Sequence, residues 1–136
     1  MTLCDAGPLV AILDRRDDDH ARCTAALAQI RAGEMVTTWP CLTEAMYLLG
    51  REGGLRVQEA LWEYVAEGFL KLHTPLPGEW ERMRWLMNRY GDAPMDLADA
   101  SIVSAAEALD SRRVFTIDRH FRAYRIDGLH AFEVIP

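Results

Sequence analysis

The sequence is poor in cysteine, has Lys71 as its only lysine and contains no apolar run of bilayer length. Its three cysteines, Cys4, Cys23 and Cys41, lie far apart and form no Cys-x-x-Cys or Cys/His pattern, which argues against a disulfide framework and a zinc site. They read as small buried hydrophobes. The opening Met1-Thr2-Leu3-Cys4-Asp5 places an acid where a signal peptide needs a basic and then a long apolar region, so a cytoplasmic location is expected. Pro/Gly/Ser-rich linkers, repeats and low-complexity tracts are also missing, and residues 1–136 are expected to form one domain. The phosphate-binding G-x-x-x-x-G-K-[ST] loop, the dinucleotide-binding G-x-G-x-x-G and the G-x-S-x-G nucleophile elbow are absent, so the chemistries that need them lack their residues. His20, His73, His120 and His130 are scattered without the pairing of a zinc hydrolase, and no catalytic role falls to His120.

What the chain does have is an excess of acid, 21 Asp and Glu against 15 bases, for a net charge of -6. A global excess of this sign argues against non-specific nucleic-acid binding. Were several acids gathered into one metal pocket, however, the rest of the surface would be close to neutral. The near-exclusive use of Arg has two readings, phosphate recognition by its planar fork of donors or a GC-rich genome.

Short β-like runs alternate with helical patterns. Thr2-Leu3-Cys4 is extended, and Pro8 to Leu13 has helical apolar spacing. A second helix follows Asp17-Asp18-Asp19, with Ala21, Thr24, Ala25, Ala28 and, at its end, Ile30 on its apolar face and Gly33 as its stop. Met35 to Thr38 reads as a strand. Pro40 suits the first turn of the next helix, and Leu55 to Ala66 forms another. Phe69 to His73 is strand-like. Trp80, Met83, Leu86, Met87 and Tyr90 make the stripe of a helix ending at Gly91, and Asp96 opens the helix through Ala108. Val114 to Ile117 and Phe132 to Ile135 close the pattern as strands. Strands separated by helices imply parallel pairing through right-handed crossovers, hence an α/β fold with helices on both faces of a parallel sheet.

In such a sheet the carboxyl ends of the strands and the amino ends of the crossover helices share one edge, where ligands bind. Asp5 follows the first strand and Asp118 the Val114 to Ile117 strand. Asp96 and Asp99 share a face in the first turn of one helix, and Glu44, on a partly buried flank, lies early in the helix after the Met35 strand. Each acid also has a local reading, Asp96 as a helix cap above all. Their common edge is the stronger pattern, because uncompensated carboxylates at contact distance repel and a divalent cation relieves the conflict. All-oxygen donors select Mg²⁺ or Mn²⁺, which points to a metal-dependent phosphoryl hydrolase.

Taken together, these residues resemble the PIN-domain family, and within it the VapC-type toxins of bacterial toxin–antitoxin pairs, over nearly the whole chain. Leu3-Cys4-Asp5-Ala6-Gly7-Pro8-Leu9-Val10 is similar to the opening motif, and Thr43-Glu44 to the second acidic position. Met95-Asp96-Leu97-Ala98-Asp99-Ala100-Ser101 resembles the central motif, and Thr116-Ile117-Asp118-Arg119-His120-Phe121 the T-x-D-x-x-F pattern. The resemblance implies a three-layer α/β/α sandwich around a central parallel sheet and an acidic pocket that binds Mg²⁺ or Mn²⁺ and cleaves single-stranded or looped RNA. It further implies a homodimer held inactive by a small VapB-type antitoxin, with DNA contacted only through that antitoxin. On this reading Asp5, Asp99 and Asp118 hold the metal directly or through water, and Glu44 and Asp96 position ligands or waters. Thr116 has two readings, an orienting hydroxyl for a carboxylate or bound water and an ordinary strand residue.

The run Trp80-Glu81-Arg82-Met83-Arg84-Trp85 is compatible with base stacking and phosphate contacts, although Trp80 in the apolar stripe favours an amphipathic helix with a wet arginine face. Arg119, Arg122 and Arg125, after the last acidic motif, are better placed to meet an RNA backbone or else form a solvated face. Two other functions remain as alternatives: a different Mg²⁺-dependent phosphohydrolase, and a binding module that keeps this fold without catalysis.

Overall fold

The computed structural model describes residues 1–136. The chain begins with β1 (Thr2–Cys4) and α1 (Ala6–Leu13), whose first amide is met by the Asp5 carboxylate. It continues through α2 (His20–Leu27), β2 (Met35–Thr38), α3 (Trp39–Gly53), α4 (Leu55–Ala66) and β3 (Leu70–His73). Then come α5 (Glu79–Arg89), α6 (Leu97–Leu109) and β4 (Arg113–Phe115). A 3-10 turn (Arg119–Arg122), a short antiparallel hairpin of β5 (Arg125–Ile126) and β6 (His130–Ala131), and β7 (Glu133–Ile135) complete the chain.

The main sheet has the order β3-β2-β1-β4-β7 and every pairing in it is parallel. Its order steps outward from β1 to β3 and then returns across β1 to β4. Right-handed crossovers on that path put the helices before β3 on one face and α5 and α6 on the other, the expected α/β layering. β1 and β2 are buried along their whole length and join a single core of 31 buried apolar residues with Leu9, Leu42, Leu49, Ile102, Val103 and Phe115. The reversal of strand order at β1 and β4 creates the crevice at the carboxyl edge.

Three local expectations need correction. In α2 the buried residues are Cys23 and Ala26, with Leu27 partly buried, whereas Ala21, Thr24, Ala25 and Ala28 face water. An alanine-rich helix has little contrast between its sides, so its few larger apolar groups set the phase. In α5 the expected Met83 and Leu86 are buried and Tyr90 is partly buried, whereas Trp80 and Met87 lie outside the stripe, 60% and 36% exposed. Arg82 pairs with Glu107 of α6 at 2.8 and 2.7 Å, which turns the Arg82 side of the helix towards α6 and leaves Trp80 and Met87 at the solvent margin. Finally, β4 stops at Phe115, so Asp118 lies beyond Thr116 and Ile117 rather than at the strand end. The Thr116 amide still donates to Ile135 O at 2.9 Å, after which the Thr116 hydroxyl accepts from the Asp118 amide at 3.0 Å and turns the chain off the sheet.

Candidate acidic site

Three elements that reach the crevice begin on acids singled out in the sequence, Asp5 for α1, Asp96 for α6 and Asp118 for the 3-10 turn, while α3, which carries Glu44, begins on Thr38. Asp5 ends β1 beside β4, its amide bonded to Phe115 O at 3.0 Å, and its Oδ1 accepts from the Ala6 amide at 2.8 Å. Asp96 and Asp99 form a reciprocal capping box on α6: Asp96 Oδ1 accepts from the Asp99 amide at 2.8 Å and Asp99 Oδ2 from the Asp96 amide at 3.2 Å. Asp118 Oδ1 accepts from the His120 amide at 2.9 Å and opens the 3-10 turn. Gly7, in the first turn of α1, makes room for this turn, since a Cβ there would stand 2.9 Å from the Ile117 side chain.

Asp5 and Asp99 are buried, Asp118 is partly buried, and Asp96 and Glu44 are exposed. Glu44 is therefore more open than the expected flank. It shares with Asp96 the edge of a shallow depression of ≈ 720 Å³ whose apolar surface includes Trp39, Tyr47 and Leu97.

The electrostatics join the five acids. Burial raises the Asp5 carboxyl above its ordinary range, and the charge on Asp118 adds to it, against the hydrogen bonds from Thr116, the Ala6 amide and Cys41. Burial, then the charge on Asp96, with further contributions from Asp5 and Asp118, raise Asp99 to about 7. Glu44 is raised by loss of water on its inner side and by Asp5, Asp96 and Asp118. No arginine or lysine forms an ion pair with any of the five; the one basic neighbour is the His120 imidazole, 2.9 Å from Asp118. Uncompensated carboxylate oxygen of this kind is chemically suited to a hard divalent cation. The carboxylates do not form a closed cage, because no three acidic, imidazole or thiol groups stand together at ligand spacing.

Thr116 is buried and links two of the acids: its hydroxyl donates to Asp5 Oδ2 at 2.8 Å while accepting from the Asp118 amide. Two further neighbours escaped the sequence reading. The Cys41 thiol lies 3.7 Å from Asp5 Oδ1 and 3.6 Å from Ala98 O, held neutral by burial and by Asp5. The Tyr124 hydroxyl donates to Asp99 Oδ2 and to Ala93 O, both at 3.3 Å, and burial with the Asp99 charge keeps it protonated. Neither had a local signal, since both contacts join residues distant in sequence. Arg119 and Arg122 stand exposed on the 3-10 turn after Asp118.

No protein-family model matches the chain. Ribonuclease VapC26 of Mycobacterium tuberculosis is 29% identical over 135 residues, covering 98% of this chain and 99% of the relative. Among solved structures, M. tuberculosis VapC20, a toxin that cleaves the sarcin–ricin loop, superposes with a TM-score of 0.84 at 18% identity and full coverage of both chains. A toxin–antitoxin complex from Klebsiella pneumoniae contains a chain that matches with a TM-score of 0.71 at 16% identity, covering 100% of this chain and 97% of that one.

Proposed function

We propose that this chain, a VapC-type member of the PIN-domain family, is a divalent-metal-dependent endoribonuclease that acts as the toxin of a toxin–antitoxin pair. The observation that carries the reading is the uncompensated acidic set at the crevice, in particular the buried Asp5 and Asp99, on a chain with a ribonuclease relative along its whole length.

Asp5, Asp99 and Asp118 would hold Mg²⁺ or Mn²⁺, partly through water, with Glu44 and Asp96 orienting ligands or waters from the exposed side. A bound cation supplies neutralisation of the charge that develops on the phosphodiester and lowers the pKa of a water nucleophile. The protein's own contribution is orientation. Thr116 fixes Asp5 Oδ2, the Ala6 amide fixes Oδ1, and the Asp96 amide and Tyr124 hydroxyl fix Asp99 Oδ2. Arg119 and Arg122 offer guanidinium groups to the RNA backbone beside Asp118. The partner that silences the site is a small VapB-type antitoxin, as the complexed structural neighbour suggests, and DNA would be reached only through it. A homodimer follows from the same resemblance.

The purified chain should convert total cellular RNA into discrete fragments with Mg²⁺ or Mn²⁺ and leave it whole in EDTA. Intact RNA under both conditions would instead favour the silent binding module. Thr116→Val should weaken Mn²⁺ affinity by about 10- to 100-fold, because it removes the hydroxyl that orients Asp5 and leaves the Asp118 amide without its acceptor. An Mn²⁺ titration that matches the wild type would return Thr116 to the role of a strand-end residue.

A further inference from the structure

A second polar cleft, of ≈ 200 Å³, opens between α5 and the start of the β5–β6 hairpin. Its wall carries Arg82, Trp85, Arg89, Tyr90 and Arg125. The three arginines differ in what they can still do. Arg82 is committed to the Glu107 carboxylate and lies over the Trp85 ring at 4.7 Å. Arg89 is exposed and lies over the Tyr90 ring at 5.4 Å, and neither it nor Arg125 has a carboxylate partner. Arg125 Nη1 donates to Arg122 O at 2.8 Å and Tyr124 O at 2.9 Å, which anchors the guanidinium and leaves its other donors free. Trp85 is 51% exposed, so the part of its indole that Arg82 does not cover is open to solvent beside two unpaired cations.

A chain of contacts through the buried Tyr124 links this cleft to the acids. Tyr124 receives Arg125 on its carbonyl, packs edge-on against Tyr90 with ring centroids 5.2 Å apart, and reaches Asp99 with its hydroxyl. In a chain of net charge -6, uncompensated arginines tied by contacts to the acidic site are unlike the surface average. Arginine pairs phosphate as a fork, and an aromatic face beside it stacks a base of any sequence.

We propose that the cleft holds a nucleotide of the RNA strand flanking the scissile phosphate, its base against Trp85 and its phosphate between Arg89 and Arg125. This proposal rests on the ribonuclease reading above and locates a subsite for the same substrate.

The test is fluorescence anisotropy of a short labelled single-stranded RNA with the full-length chain in EDTA, over a range of salt concentrations. Trp85→Ala should weaken binding about tenfold. Arg89→Gln should lower the slope of log affinity against log salt by about 0.7, one phosphate contact on a single strand. Arg15→Gln, exposed beyond the far end of α1, should leave both unchanged and serves as the control. With Mg²⁺ restored, both cleft variants should raise KM with little change in kcat. The side chains of Trp85 and Arg89 are exposed, and circular dichroism checks that the fold is kept. Affinity and salt slope within twofold of wild type for both variants would overturn the subsite and leave the ribonuclease reading standing. RNA bound by the wild type through Trp85 and Arg89 but never cut with metal would support the subsite and overturn the ribonuclease reading. A wild type that binds no RNA would overturn the subsite.

Discussion

Asp99→Asn is expected to lower metal-dependent RNA cleavage by roughly a thousandfold or more, the loss of several kcal/mol of charge stabilisation at the phosphodiester. The same substitution should make the metal-free chain more stable at pH 8. The Asp99 carboxyl is raised from 3.8 to about 7 in the folded state. Between those values the folded chain binds a proton that the unfolded chain has lost, so this group's contribution to stability is full below the lower value and disappears as pH rises through about 7. Above pH 7 the native state holds a buried charge beside Asp96 and Asp5, at a cost of up to about 4 kcal/mol for a shift of this size. Asparagine keeps the acceptor that meets the Asp96 amide and the Tyr124 hydroxyl but cannot ionise. Thermal melts of both proteins in EDTA, from pH 4 to 8, should diverge in favour of the variant by several degrees at the alkaline end. Mg²⁺ should then close the gap by stabilising only the wild type. Parallel melting curves across that range would show that Asp99 carries no such charge stress.

Phe121→Ala should cost about 3–5 kcal/mol, a large part of the stability of a domain this size. Phe121 is fully buried and sits edge-on between Tyr124, at 5.1 Å between centroids, and Phe132, at 5.6 Å. Removing the ring leaves a cavity under the 3-10 turn that begins at Asp118 and beneath the tyrosine that reaches Asp99. Denaturant unfolding should show a midpoint well below wild type, and Mn²⁺ affinity should fall with it. Phe121→Leu, which keeps most of the volume, should recover most of both. A variant as stable as wild type would mean that the turn is held by its caps and not by this packing.

The parts of the fold that were legible in the sequence carried their signals within a few residues. Pro40 in a first turn, Asp96 as a helix cap and the apolar Val114-Phe115 run each announce an element locally. The phase of α2 was not legible, because alanines on every side leave Cys23 and Ala26 to decide it, and the margins of the α5 stripe, Trp80 and Met87, were misplaced because the tilt of that helix depends on a partner, Glu107, from α6. The acids were legible as a set because strand ends and helix starts share an edge. Their partners were not: the thiol of Cys41 and the hydroxyl of Tyr124 meet Asp5 and Asp99 across 36 and 25 residues, where spacing says nothing.

The order of the strands has a consequence for synthesis. β1 lies between β2 and β4, so the strand that ends in Asp5 gains its second neighbour only when Arg113–Phe115 has been made, and Thr116 and Asp118 follow later still. A growing chain that has not yet reached them lacks the hydroxyl that orients Asp5, the turn that presents Asp118 and the tyrosine that steadies Asp99. A site wired in this way cannot be put together stepwise from its amino-terminal half: its acids take up their final geometry only once residues 116–124 have been made and have packed against β1 and α6.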